Sequence, residues 1–117
     1  MATKRILAIA TTSVLATMIA ATAAQAAYVA SVTIYGSGVK TLSVLECKAV
    51  AATTTSDHST TTTEVEGYPC TWVSARAFYT TTDGHAEWTN TVSARSQAVV
   101  NVTGTNQLQK SCNTATR

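Results

Sequence analysis

Asp83-Gly84, set between two runs of alternating residues, constrains this chain more than any other pair in it. A two-residue type I′ turn needs positive φ at both positions, which Asp tolerates and Gly adopts freely, so the pair is a strong hairpin signal. The tetrapeptide Val-Ser-Ala-Arg stands once on each side, at residues 73–76 and again at 92–95. With Asp83 and Gly84 in the loop, Thr82 faces His85. Counting outward puts Tyr79 opposite Trp88, Ala77 opposite Asn90, Ala75 opposite Val92 and Val73 opposite Ala94, while Ser74 faces Ser93. Each Val then meets the other copy's Ala, a favourable pairing of large against small on one face. Repeat architectures have periods of about 20 residues or more and at least three copies. Two copies around one turn are the arms of one ribbon.

On this register Val73, Ala75, Tyr79, Trp88, Val92 and Ala94 share a face that reads as core. The other face carries Trp72, Ser74, Arg76, Phe78, Thr80, Glu87, Thr89, Thr91, Ser93 and Arg95. Arg95 falls opposite Trp72, where a guanidinium covers an exposed indole at a gain of about 0.5–1 kcal/mol. Aromatic and Arg side chains among hydroxyls have the composition of recognition patches. The competing reading makes this face the inside of a second layer, since strand aromatics are more often packed than displayed. Trp72, Arg76, Phe78 and Arg95 are the candidate binding residues.

The remainder is also β in character, rich in Thr, Val, Ser and Tyr with a single Pro. Tyr28, Ala30, Val32 and Ile34 alternate with Val29, Ser31, Thr33 and Tyr35 as a first strand, and Gly36-Ser37-Gly38 permits a reversal. Residues 39–52 fit two patterns. Val39, Leu42, Leu45 and Ala49 line one side of a helix. Leu45, Cys47, Ala49 and Ala51 alternate as a strand, with Leu42 and Val44 on the wrong face unless a bulge intervenes near Val44-Leu45; the strand is favoured. Seven of the eleven residues 53–63 are Thr, so 53–67 is expected to be a polar, mobile loop, with an exposed edge strand over residues 60–66 as the variant. Pro69 biases Tyr68 towards an extended conformation. Ala98, Val100 and Val102 continue an alternation after a bend near Ser96-Gln97. Four to six strands with short turns indicate an all-β domain, a small antiparallel sandwich or barrel. The spacing does not match an immunoglobulin domain: Trp72 is only two residues after Cys70, and no Tyr precedes Cys112 by two.

Residues 1–26 have the marks of a cleavable secretory signal peptide: Lys4 and Arg5, the apolar run that follows them, then Ala24-Gln25-Ala26. The apolar run is diluted by Thr and Ala, unlike a spanning helix of about 20 apolar residues. Cleavage leaves residues 27–117 as one small domain, with six basic and six acidic residues and a formal net charge of zero. A nucleic-acid partner is excluded on that balance, since phosphate affinity needs clustered Lys and Arg. Cys47, Cys70 and Cys112 remain, and an oxidising compartment pairs two of them. Cys47–Cys70 closes the shortest loop at the least entropy cost, whereas a bridge to Cys112 would tie down a polar tail. The third thiol is buried or joins two copies. No C-x-x-C spacing supports zinc, and no metal or cofactor is expected.

Catalytic signals are thin. His58 stands with Asp57 and Ser59 in the Thr-rich stretch, and His85 follows the Asp83-Gly84 turn. No nucleophile elbow or paired-His zinc motif accompanies them. Lys48 beside Cys47 is the one local hint of an activated thiol. Asn101-Val102-Thr103 matches a glycosylation acceptor, on an expected strand. The expectation is therefore a secreted, non-enzymatic β domain acting by surface contact with a protein, glycan or cell-envelope component. A small exported toxin or bacteriocin-like factor and a small secreted hydrolase using His58 or His85 are the alternatives.

Overall fold

A computed structural model describes residues 27–117; the expected signal peptide, residues 1–26, lies outside the described residues. The strands are β1 Val29–Tyr35, β2 Gly38–Val44, β3 Cys47–Thr54, β4 Ser59–Glu64, β5 Trp72–Thr80, β6 Ala86–Trp88, β7 Val92–Ala94, β8 Gln97–Asn101 and β9 Gln107–Thr116. One sheet has the order β1-β9-β5-β6, with β7 also paired to β5, and the other β2-β3-β4-β8. Every pairing is antiparallel. The fold is the expected all-β sandwich, with nine strands among the described residues rather than four to six. Its core joins Val73, Ala75 and Ala77 of β5 and Ala115 of β9 to Ala49 and Ala51 of β3 and Ala98 and Val100 of β8. Alanine on both inner faces makes this a thin layer, and thin cores supply little stability.

The hairpin forms where expected, with a longer loop. Thr81 N–H donates to the His85 carbonyl at 2.8 Å and Gly84 N–H to the Thr81 carbonyl at 3.1 Å, leaving residues 82–84 as the loop. Gly84 has φ of 91° whereas Asp83 does not take positive φ. A type I turn followed by a left-handed Gly is the usual three-residue hairpin. The extra loop residue slips the register, so Trp88 pairs with Phe78 and Glu87 with Tyr79. Farther out the expected pairs return: Ala75 with Val92, Ser74 with Ser93, Val73 with Ala94. Between them a one-residue bulge at residues 89–91 cancels the slip. Thr89 N–H donates to the Ala77 carbonyl at 2.8 Å, and its hydroxyl accepts from Ala77 N–H at 3.0 Å. The broken ladder thus leaves the Ala77 donor satisfied.

A slip of one residue turns a side chain to the other face. Trp88 therefore joins Phe78 on the outside instead of entering the core. Val92 is exposed, Tyr79 and Ala94 are half-buried against the core, and Ala77 is fully buried beside Val73 and Ala75.

Residues 39–52 are strand, without a helix and without a bulge. They are the two arms of a hairpin in which Val44 pairs with Cys47 and Leu42 with Ala49. Leu45 turns the corner at φ 54°. The change of parity between Leu42 and Ala49 marks that reversal, since directly opposed residues point to the same side.

The expected Thr-rich loop is mostly strand. After a turn at residues 55–58, β4 runs between β3 and β8, so it is neither a mobile loop nor an edge. Thr53, Thr60 and Thr62 are buried to 2% exposure or less, together with Ser111 and Asn113 of β9. Their polar atoms satisfy one another. The Thr53 hydroxyl bonds to Thr60 at 2.9 Å and to Ser111 at 2.7 Å, and Ser111 donates to Asn113 Oδ1 at 2.8 Å. Asn113 Nδ2 lies 3.0 Å from the Thr60 hydroxyl, 2.9 Å from that of Thr62 and 3.2 Å from the Thr61 carbonyl. Thr62 in turn donates to the Ser74 carbonyl at 2.8 Å. A fully connected network removes the cost of burying hydroxyls, and Thr methyl groups supply apolar contact.

The polar C-terminal segment is no tail. It is β9, a central strand between β1 and β5. A bulge at Gln109 lets Leu108 face the core while Lys110, of the same parity, points out. Cys47 and Cys70 form the disulfide, with Cα atoms 4.6 Å apart. It joins the start of β3 to the segment entering β5, and so ties the two sheets. Glu64 fixes the same segment by accepting the Cys70 N–H at 2.6 Å.

Candidate binding face

The outer face of the five-stranded sheet collects three of the four expected binding residues. Trp72, Arg76 and Phe78 project from alternate positions of β5, whose intervening residues Val73, Ala75 and Ala77 are fully buried. From β9 come Lys110, Cys112, Thr114 and Thr116, alternating with buried Ser111, Asn113 and Ala115. Edge strand β1 adds Tyr35, 75% exposed. Slippage of the hairpin delivers Trp88.

At the Trp72 end the face is a groove of about 290 Å³ lined by Trp72, Ser74, Ser93, Thr114 and Thr116. The indole is 48% exposed, and the floor is built of hydroxyls, with Ser74 and Thr114 hydrogen-bonded to each other. A second groove of about 220 Å³ continues it, lined by Ser74, Arg76, Thr91, Cys112 and Thr114. Cys112 is the free cysteine, half-buried there.

The other end is an aromatic cluster carrying two cations. Phe78 and Trp88 pack edge to face at 5.2 Å between ring centres, a favoured aromatic geometry. The Arg76 guanidinium lies 4.2 Å from the centre of the Trp88 ring. Lys110 sits 5.1 Å from Phe78 and 5.7 Å from both Tyr35 and Trp88. Register produces this directly, because Lys110 pairs with Tyr35 on one side and Phe78 on the other, and Phe78 pairs with Trp88.

Arg95 is not part of the cluster. It occupies the exposed bend between β7 and β8, and the guanidinium that stacks on an indole among the described residues is Arg76 on Trp88. Tyr35, Trp88 and Lys110 were not expected on this face. Trp88 was hidden by the register slip and Lys110 by the Gln109 bulge. The alternation of Tyr35 with Ile34 was the one signal that pointed outward.

The histidines lie elsewhere, on turns of different sheets. His58 closes the β3–β4 turn at φ 55°, beside a cavity of about 330 Å³ shared with Thr55, Ser56, Gln107 and Leu108. Its Nδ1 is buried without a hydrogen-bond partner, so neither Asp57 nor Ser59 orients it as a catalytic base requires. His85 Nε2 is 3.8 Å from Asp83 Oδ2, both side chains exposed. The Asp83 carboxyl is held below its ordinary value chiefly by the hydrogen bond from the Thr81 hydroxyl. The Tyr79 hydroxyl donates to Glu87 at 3.1 Å, and that bond raises its pKa. Asn101 of the glycosylation pattern is exposed at the end of β8. Among the described residues no helix is long and apolar enough to cross a membrane.

No protein-family model matches the chain, and no curated protein or solved structure is significantly similar to it.

Proposed function

We propose that this chain is an exported, non-enzymatic binding module that holds a glycan of the cell envelope or its surroundings on the outer face of the five-stranded sheet. One observation carries the reading: Trp72, half-exposed, stands at the lip of a hydroxyl-lined groove on a rigid central strand. An indole offers a flat apolar surface to the C–H face of a sugar, while Ser and Thr hydroxyls meet its polar edge. Rigid strands hold both in place, so little ordering entropy is lost on binding. Export is supported by the Cys47–Cys70 bridge, since stable disulfides persist in oxidising compartments.

The test is retention of the purified, oxidised protein on insoluble cell-envelope polysaccharide, comparing wild type with Trp72→Ala. Wild type is expected to be retained and the variant lost, with urea stability changed by less than about 1 kcal/mol. Equal retention of both proteins counts against the site. Growth inhibition without retention turns the reading towards a toxin.

A further inference from the structure

We propose that the aromatic–cation cluster is an acid-binding subsite, and that the glycan held on this face is a polysaccharide bearing uronate carboxylates. This rests on the glycan reading above and adds the sign of the ligand's charge.

The described chain carries equal numbers of basic and acidic residues, but they are segregated. Arg76 and Lys110 project from the outer face, and among the described residues none of the six carboxylates does. Glu46 lies in the β2–β3 turn and bonds to Arg117 at 3.2 Å. Asp57, Glu66 and Asp83 are in turns, Glu64 accepts the Cys70 N–H, and Glu87 is turned to the Tyr79 side. Neither Arg76 nor Lys110 has a carboxylate partner among the described residues.

Both cations lie within 6 Å of the Trp88 ring centre. Aromatic rings hold a cation through their quadrupole without neutralising its charge. Two unneutralised positive charges are therefore held against one indole, already oriented, and like charges so placed repel. An anion between them relieves the repulsion, and a carboxylate fits the guanidinium edge. Two cations are far too few for a nucleic acid, whose binding sums many phosphate contacts.

Continuity with the groove makes the anion part of a glycan. The two cavities share Ser74 and Thr114, so an open path runs from Trp72 to Arg76. At about 3.3 Å of rise per residue, Trp72 and Phe78 are roughly 20 Å apart along β5. That length accommodates several sugars laid along the strand, one stacked on Trp72 and an acidic one at the cluster.

The experiment is titration calorimetry of the purified, oxidised protein with polygalacturonate, its fully methyl-esterified form, alginate and a neutral β-glucan. Wild type is expected to bind the two uronate polymers at least tenfold more tightly than the ester or the glucan, with the advantage shrinking as salt rises. Arg76→Gln with Lys110→Gln should abolish that advantage while leaving weak Trp72-dependent binding, and Arg76→Lys should retain most of it. Thermal unfolding of each variant separates loss of the site from loss of the fold. Equal binding of acid and ester, lost in Trp72→Ala, overturns the acidic subsite and leaves the glycan reading standing. Absence of binding to all four polymers overturns both.

Discussion

Polarity is inverted between the inside of this sandwich and the outside of its five-stranded sheet. Inside, Thr53, Thr60, Thr62, Ser111 and Asn113 are buried to 2% exposure or less, among alanines. Outside, Trp72 and Tyr35 stand 48% and 75% exposed, with Phe78 and Trp88 beside two cations. Hydropathy alone sorts these residues the other way. Two rules override it: a hydroxyl is cheap to bury once every polar atom has a partner, and strand parity assigns a face whatever the side chain. The interior is held by a closed set of bonds, whereas the exterior presents groups whose bonding capacity is still open.

The largest expected effect falls on the interior. Asn113 ties β9 to Thr60, Thr61 and Thr62 and accepts from Ser111 of its own strand. Asn113→Ala strands several buried partners at once and should destabilise the fold by about 3–5 kcal/mol in urea unfolding. A loss under about 1 kcal/mol would show that the interior hydroxyls have no need of it, and the contrast between the two regions would fail.

The disulfide comes next. It closes a loop with a sequence separation of 23, which the chain-entropy relation equates with roughly 3 kcal/mol. Cys47→Ser with Cys70→Ser should lower stability by about that amount. A thin alanine core has little reserve, so the double variant is expected to be only marginally folded at elevated temperature. Unfolding under reducing conditions checks the same number on the wild type.

Much of this contrast was legible in the amino-acid order, and the misses have identifiable physical causes. The buried triplet Val73, Ala75 and Ala77 and the outward Trp72, Arg76 and Phe78 follow from simple alternation in β5. Its pairing with β7 follows from the Val-Ser-Ala-Arg copies. Trp88 was misplaced because Asp83-Gly84 closes a three-residue rather than a two-residue loop, a choice that differs by one residue and reverses a face. The later bulge at residues 89–91 restored the count, so the outer pairs came out right despite the slip. β4, expected as a loop or at most an exposed edge strand, and β9, not expected at all, have another cause. Their inward positions are Thr, Ser and Asn, and the bonds across the sandwich that make these buriable reach partners 51 to 58 residues away in the chain. No local pattern reports such a partner.

The smallest effect belongs to an exposed hydrogen bond of the same chemical kind as the buried ones. Thr81 donates to Asp83 in the hairpin turn, and both side chains of the neighbouring Asp83–His85 pair are open to water. That bond depresses the Asp83 pKa below its ordinary 3.8. A depressed carboxyl contributes stability that is fully present above the unfolded pKa and is lost as pH falls through the lower folded value. Asp83→Asn should therefore lower the plateau above pH about 5 slightly and leave stability near pH 2 unchanged, making the acid-side decline between them shallower. Water already competes for an exposed hydroxyl, so the turn loses little where the interior would lose much. An Asp83→Asn destabilisation as large as that of Asn113→Ala would mean that exposure, and not partner count, had been misjudged as the variable separating the two regions.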